Sequence, residues 1–332
     1  MKPLQGVATV PTTRAAEAAL PNAPSAGGVR AGAAAFWLTL FFFAAQHAPR
    51  LVTALRRPFC RGVFFVSRAV RAGTTANARR FLGPGASDTQ VNALARRTLG
   101  SFYLFCCDVG RSFGLSREQL TALIDSDEGY DHYLAARAAG KGLIVVTAHM
   151  GSFEVGMAAL RRVERNAIHV VFKRDPFARF EQQRSALRAR LGVEEAPVDD
   201  GWTIWVRLRD ALLNDDAVVL QGDRVMPGQK GELVPFLGGT LLLPGGPVKL
   251  ALATGAPIVP IFSVRMPDGK VKLFIEPPID AAATEGAARG GPHPALLKWA
   301  SVLERYVKAY PDQWLLLQPA LVEDAAAVKS HI

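Results

Sequence analysis

Cysteine is scarce in this chain. There are three, Cys60, Cys106 and Cys107. An odd count with two adjacent members is no disulfide framework, so the folded part is expected to face a reducing compartment. No C-x-x-C and no Cys/His cluster occurs, which excludes the common zinc modules. The phosphate-cradling and dinucleotide glycine loops are missing, as is H-E-x-x-H. The chain therefore carries no signature of a nucleotide enzyme or a metalloprotease. Long apolar runs are also missing. The uncharged apolar run near the start, residues 31–45 (AGAAAFWLTLFFFAA), falls short of the ~20 residues that span a bilayer.

Basic charge, in contrast, is concentrated. The formal net charge is +10, and residues 1–80 hold eleven Lys or Arg against the single acid Glu17. The rest of the chain is close to neutral. A basic arm suits either nucleic acid or anionic lipid. Here it is interleaved with Phe, Trp and Leu, which favours lipid and argues against nucleic acid. Residues 31–45 are expected as a short span or re-entrant helix, with Trp37 and Arg50 as interfacial anchors. Residues 51–71 are expected as a basic amphipathic stretch on the bilayer. Residues 1–29, rich in Ala, Pro, Gly and Thr, are expected to be a disordered tail without the charged start of a secretory signal. The divisions that follow are 1–29, an anchoring segment 30–72, a catalytic domain 73–320 and a C-terminal tail 321–332. A single large core is within reach, since 49% of the residues are apolar.

Hydrophobic periodicity predicts helices over 88–114, 152–165, 176–192, 203–214 and 294–309. It predicts strands over 142–148, 168–172, 217–221, 257–264 and 271–276. In the last helix Leu296, Trp299, Leu303, Tyr306 and Tyr310 form a core-facing stripe. Strands alternating with helices predict an α/β fold, a mixed sheet sandwiched by helices.

The sharpest local feature is T-A-H-M-G-S-F-E, Thr147 to Glu154. A buried strand ends near His149, Gly151 permits a tight turn, Ser152 is a candidate helix cap, and Glu154 falls in the first helical turn. On one continuous helix His149 and Glu154 would point about 140° apart. Across a strand–turn–helix junction they can converge. A carboxylate that holds an imidazole is the arrangement that deprotonates a hydroxyl, and it is expected to raise the imidazole pKa. The bland alternative is a core histidine and a helix-start glutamate. Ser152 is a rival nucleophile, but its surroundings are not a nucleophile elbow.

Six further segments follow or precede this one in a fixed order: A-N-A-R-R-F-L-G (76–83), V-F-K-R (171–174), Q-G-D-R (221–224), G-E-L-V-P-F-L-G-G (231–239), T-G-A-P-I-V-P-I-F (254–262) and P-D-Q-W (311–314). Together with K-G-L-I-V-V-T-A-H-M-G-S-F-E-V-G (141–156), and from about Trp37 to Trp314, the chain resembles the bacterial lipid A biosynthesis acyltransferases, within the wider lysophospholipid and glycerolipid acyltransferases. Two departures concern the acceptor. L-L-L-Q-P (315–319) stands where lipid A enzymes carry a basic segment, and Gln221 and Asp223 stand where the glycerolipid branch has an acid and a Thr.

The resemblance implies transfer of a fatty acyl group from an acyl carrier protein or coenzyme A thioester to a hydroxyl or amine of a lipid or glycolipid, at the cytoplasmic face of the cell inner membrane. It implies no metal and no cofactor beyond the acyl thioester co-substrate. His149 would be the general base and Glu154 its orienting carboxylate. Lys173, Arg174 and Arg224 would bind phosphate, and Asp223 would hold Arg224 or a substrate hydroxyl. Phe236, Gly238 and Gly239 would line the acyl or acceptor tunnel, while Pro260 and Trp314 would be scaffold. A catalytically silent lipid-binding protein on the same fold and a thioesterase are the competing expectations.

Overall fold

The computed structural model describes residues 28–331 except 113, 176, 227–228 and 284–290. The expected tail 1–29 lies outside the described residues apart from Gly28 and Val29, which open a helix.

A seven-stranded sheet forms the centre. Its strands are β1 (Ile124–Glu128), β2 (Leu143–Thr147), β3 (Ile168–Phe172), β4 (Glu194–Pro197), β5 (Ala217–Gln221), β8 (Ile258–Arg265) and β9 (Val271–Ile275), in the spatial order β1-β9-β8-β2-β5-β3-β4. Neighbours run parallel except β8 and β9, which pair antiparallel, so the sheet is mixed. Strict alternation sends successive side chains to opposite faces. Ile144, Val146, Val218 and Leu220 enter one core. Leu143, Val145, Ala217 and Val219 enter the other. Each aliphatic side chain buried this way contributes about 1.5–3 kcal/mol, and a one-residue slip would exchange the two sets.

Helices cover both faces. α6 (Tyr130–Arg137), α7 (Phe153–Val163) and α8 (Ala178–Leu191) pack on one; α9 (Thr203–Leu213), α10 (Gly246–Thr254) and α11 (Pro294–Ala309) pack on the other. The stripe of α11 is buried as its spacing predicts, at Leu296, Trp299, Leu303 and Tyr306. A two-stranded hairpin, β6 (Gly231–Phe236) and β7 (Gly239–Pro244), joins the second face. Its loop is Leu237–Gly238 with φ of 48° and 69°, the two positive values that a tight primed turn requires.

The N-terminal helices form a separate layer. α1 (Gly28–His47), α2 (Pro49–Val66) and α3 (Arg68–Leu82) all pack on the long α4 (Asp88–Ser112). The short span expected over 31–45 is not found. No helix among the described residues is long and apolar enough to cross a membrane. α1 buries Phe42 and Ala45 against the protein and exposes Phe36, Trp37, Leu40 and Phe43. Between α4 and β1 runs one further short helix, α5 (Arg117–Thr121). The expected tail after 320 contains a helix, α12 (Val322–His331), tied to α3 by a bidentate Arg80–Asp324 pair at 2.8 and 2.7 Å.

Candidate active site

β2 and β5 lie side by side and in register, with Thr147 opposite Gln221. The chain continues for two residues past each end, to His149 on one side and Asp223 on the other. The two side chains therefore meet at the carboxyl edge of the parallel sheet, where ligand sites of such folds lie. Gly222 is pinned there by its own N–H to Thr147 O (2.8 Å) and by the Trp299 indole N–H to its carbonyl (2.9 Å).

The Asp223 carboxylate grips His149 twice. Oδ1 is 2.8 Å from the ring Nδ1, and Oδ2 accepts the His149 backbone N–H at 3.0 Å. Oδ2 also accepts the indole N–H of Trp314 at 2.9 Å. A carboxylate at Nδ1 holds the proton there and leaves Nε2 as the basic nitrogen. The Arg224 guanidinium sits 3.1 Å from that Nε2, and among the described residues its own Nε has no hydrogen-bond partner.

This corrects the pairing expected from the local sequence. The carboxylate on the imidazole is Asp223, not Glu154. Glu154 sits 2.5 Å from Arg184 of α8, with Arg188 at 4.0 Å. It lies at the second position of α7, and that helix turns its side chain toward α8. Asp223 in turn serves the histidine rather than Arg224 or a free hydroxyl. Arg184 had no distinguishing local signal, being one of several arginines on a polar helix. The position of Asp223 did leave a signal. It stands two residues past one apolar strand, as His149 stands two residues past another.

The imidazole pKa is lowered, not raised. Burial is the first cause and the neighbouring Arg224 cation the second; they outweigh the pull of Asp223. Burial opposes ionisation of Asp223 too, but His149, Arg224 and the Trp314 hydrogen bond together hold it down at about 2. The site thus pairs an ionised carboxylate with a neutral imidazole near neutral pH.

Two cavities meet at this edge. A cleft of about 660 Å³ on the α9–α10 side is lined by His149, Lys173, Trp202, Trp205, Arg224 and Lys249, among others. A narrower space of about 70 Å³ lies on the α7–α8 side, mostly apolar, with Glu154 and Arg184 on its wall. Val171, Phe172, Leu220 and Gln221 belong to both walls.

The remaining expected residues divide. Lys173 and Arg224 line the cleft with His149. Arg174 does not; it is exposed and pairs with Asp200 at 2.7 Å. Phe236, Gly238 and Gly239 line neither cavity. Phe236 is buried against Trp314, and a Cβ on Gly239 would press on Leu321 and Glu323. These three serve the hairpin turn, whose Leu237 N–H is held by Glu304 at 3.2 Å. Pro260 is buried within β8, opposite Val146 of β2.

Ser152 is unsuited to attack. It is fully buried, its hydroxyl donates to Asp108 rather than capping α7, and Arg265 contacts both partners. Cys106 and Cys107 are pushed by burial to about 12, too high to supply a thiolate at neutral pH.

A family profile described as "Bacterial lipid A biosynthesis acyltransferase" matches residues 28–322. The chain is 25% identical over 285 residues to a "Phosphatidylinositol mannoside acyltransferase" of Mycolicibacterium smegmatis, covering 83% of this chain and 89% of that one. A protein of the same name from Mycobacterium tuberculosis is 29% identical over 199 residues, covering 59% of this chain and 60% of its own. With the match running from the first described helix to the start of the last, the chain belongs to the bacterial lipid A biosynthesis acyltransferase family and is an acyltransferase.

Proposed function

We propose that the protein transfers a fatty acyl group from a thioester of acyl carrier protein or coenzyme A to a hydroxyl of a phosphate-bearing glycolipid. The observation that carries this reading is the His149–Asp223 pair, with Arg224 against the free ring nitrogen, at the wall of a large cleft. The relatives' printed names point to a glycolipid acceptor of the phosphatidylinositol mannoside kind.

The chemistry follows from the geometry. The acceptor hydroxyl takes Arg224's place at Nε2 of His149. As its oxygen attacks the thioester carbonyl, the proton passes to Nε2, and Asp223 stabilises the imidazolium that forms. The tetrahedral intermediate collapses to the ester, the carbon–sulfur bond breaks, and the imidazolium returns its proton to the leaving thiolate. No metal is needed, because a thioester is already activated and a thiolate leaves readily. Arg224, displaced from the ring, is free to meet a phosphate or the developing oxyanion with its planar fork, and Lys173 adds a second cation.

Exposed Phe36, Trp37, Leu40, Phe43, Leu51, Leu55 and Phe59, set among exposed Arg50, Arg57 and Arg61, support a bilayer surface as the place of work. A silent lipid-binding role is disfavoured by an intact, pre-positioned base. A thioesterase would give the acyl group to water instead.

The test is incubation of purified protein with acyl-thioester and membrane lipid, read by mass spectrometry of lipid and free fatty acid. The expected result is an acylated lipid that His149→Ala abolishes. Free fatty acid as the only product would replace this reading with the thioesterase.

A further inference from the structure

The segment that carries Trp314 is bound to the His149 turn more tightly than a scaffold contact requires. Residues 313–315 run antiparallel to 149–151. Gly151 N–H donates to Gln313 O at 2.9 Å, Leu315 N–H donates to His149 O at 2.7 Å, and Met150 and Trp314 form the bridge between them. The Gln313 side chain fixes the same segment from behind. Its amide accepts the Arg265 N–H and donates to the Arg265 carbonyl, both at 2.8 Å, at the end of β8. The Trp314 ring is buried between Phe81 of α3 and Phe236 of β6. With backbone and ring both held, the indole N–H has one direction, toward Asp223 Oδ2.

Oδ2 then carries two donors, the indole N–H and the His149 backbone N–H. That leaves Oδ1 for the imidazole and bars the carboxylate from rotating. We propose that Trp314 is a positioning residue for the base, fixing through its indole N–H which Asp223 oxygen faces His149 and how strongly that oxygen attracts the ring proton. The inference rests on the reading of His149 as the general base.

The electrostatic sign follows. A donor on Oδ2 draws carboxylate charge away from the ring, so removing it leaves Asp223 with more attraction for imidazolium. The other charged groups facing the ring are Arg224 and Arg184, which oppose its protonation, with Glu154 against Arg184 and Asp175 near both arginines. None of these contacts the indole, so the effect of its loss is read at His149 without their rearrangement.

The experiment replaces Trp314 by Phe and, to keep the two-ring shape, by benzothienylalanine, in which sulfur stands where the N–H was. Two readouts are used. Steady-state kinetics across pH should show kcat lowered about tenfold with KM within about twofold, the size of one lost hydrogen bond to a charged group, and the acid limb moved upward. Independently of any substrate, 15N-histidine NMR, with the His149 signals assigned by their loss in His149→Ala, should show its ring titrating at higher pH in both variants. If the 15N shifts move but no variant or wild-type protein transfers acyl groups, Trp314 positions the ring and the functional reading is what fails. If benzothienylalanine leaves both the 15N titration and the kinetic limb unmoved, Trp314 is packing only and the inference is overturned. Should Trp314→Phe fold poorly, the isosteric analogue alone decides between these outcomes.

Discussion

At His149 both ring nitrogens are occupied, Nδ1 by a carboxylate 74 residues away and Nε2 by the adjacent Arg224. Two expectations follow. First, His149→Ala should lower turnover by about 10²–10⁴, the usual worth of a general base. Asp223→Asn should fall within the same range, and the double variant should be no worse than His149→Ala alone, because the two act as one unit. Steady-state rates of the three variants, with melting curves to confirm folding, check this. Additive losses would separate the pair. Glu154→Gln, which leaves the His149–Asp223 pair untouched and loosens Arg184, should chiefly weaken substrate binding and stability. Second, the pH profile follows from the lowered imidazole pKa. In the proposed mechanism His149 works as a base when neutral. Activity should therefore be level above the ordinary value of about 6.5 and fall only at lower pH, as the ring protonates. A half-maximal point above that value would show that the Asp223 attraction, not burial, dominates.

At the scale of the element, the junction between β2 and α7 depends on Gly151. Its φ is +55°, and a Cβ there would strike the carbonyl of Ser263 in β8. Both objections are to backbone, which cannot rotate away as a side chain can. Gly151→Ala should cost about 1–3 kcal/mol, the usual range for enforced left-handed strain, and depress activity by displacing His149. Thermal melting and turnover measured together check it; a variant with wild-type values for both would show that the turn relaxes. Next to it, the buried Asp108–Ser152–Arg265 cluster ties the turn to α4 and β8. That explains why Ser152, at the expected cap position, is not a cap. The predicted core elements match the observed strands and helices within a residue or two, because their apolar periodicity is strong. β1, β4 and the β6–β7 hairpin were not legible. β1 reads Ile-Asp-Ser-Asp-Glu and β4 Glu-Glu-Ala-Pro, edge strands without an apolar alternation. The hairpin carries Pro235 inside a strand and a Leu-Gly loop in place of the usual Asn-Gly.

For the whole molecule, the concentration of charge is the property with consequences. α2 buries Val52, Cys60 and Phe64 while turning Arg57, Phe59, Arg61 and Phe65 outward. Removing the N-terminal helices would strip α4 of its cover, so exposed side chains are the better probe. Arg57→Glu with Arg61→Glu should lower binding to anionic vesicles, at about 1 kcal/mol per basic residue removed, and leave the melting temperature nearly unchanged. Sedimentation with phosphatidylserine and phosphatidylcholine vesicles reads this. Equal binding of wild type and variant to both would place the membrane contact elsewhere.

The amino-acid sequence by itself determined the α/β class, the core strands, the cluster of basic charge and the presence of a histidine at a strand end, since each depends on residues close together in the chain. Lys173 and Arg224 entered through the family resemblance, and the tertiary structure sets both on the cleft that His149 lines. Which carboxylate serves the imidazole was decided by tertiary structure. Glu154 is five residues from His149, yet the turn into α7 carries it to Arg184. Asp223 is 74 residues away, yet the parallel register of β2 and β5 delivers it to Nδ1. The imidazole's pKa was decided there too, because burial and Arg224 come from distant segments. Local sequence measures separation along the chain, whereas hydrogen bonds and desolvation depend on separation in space.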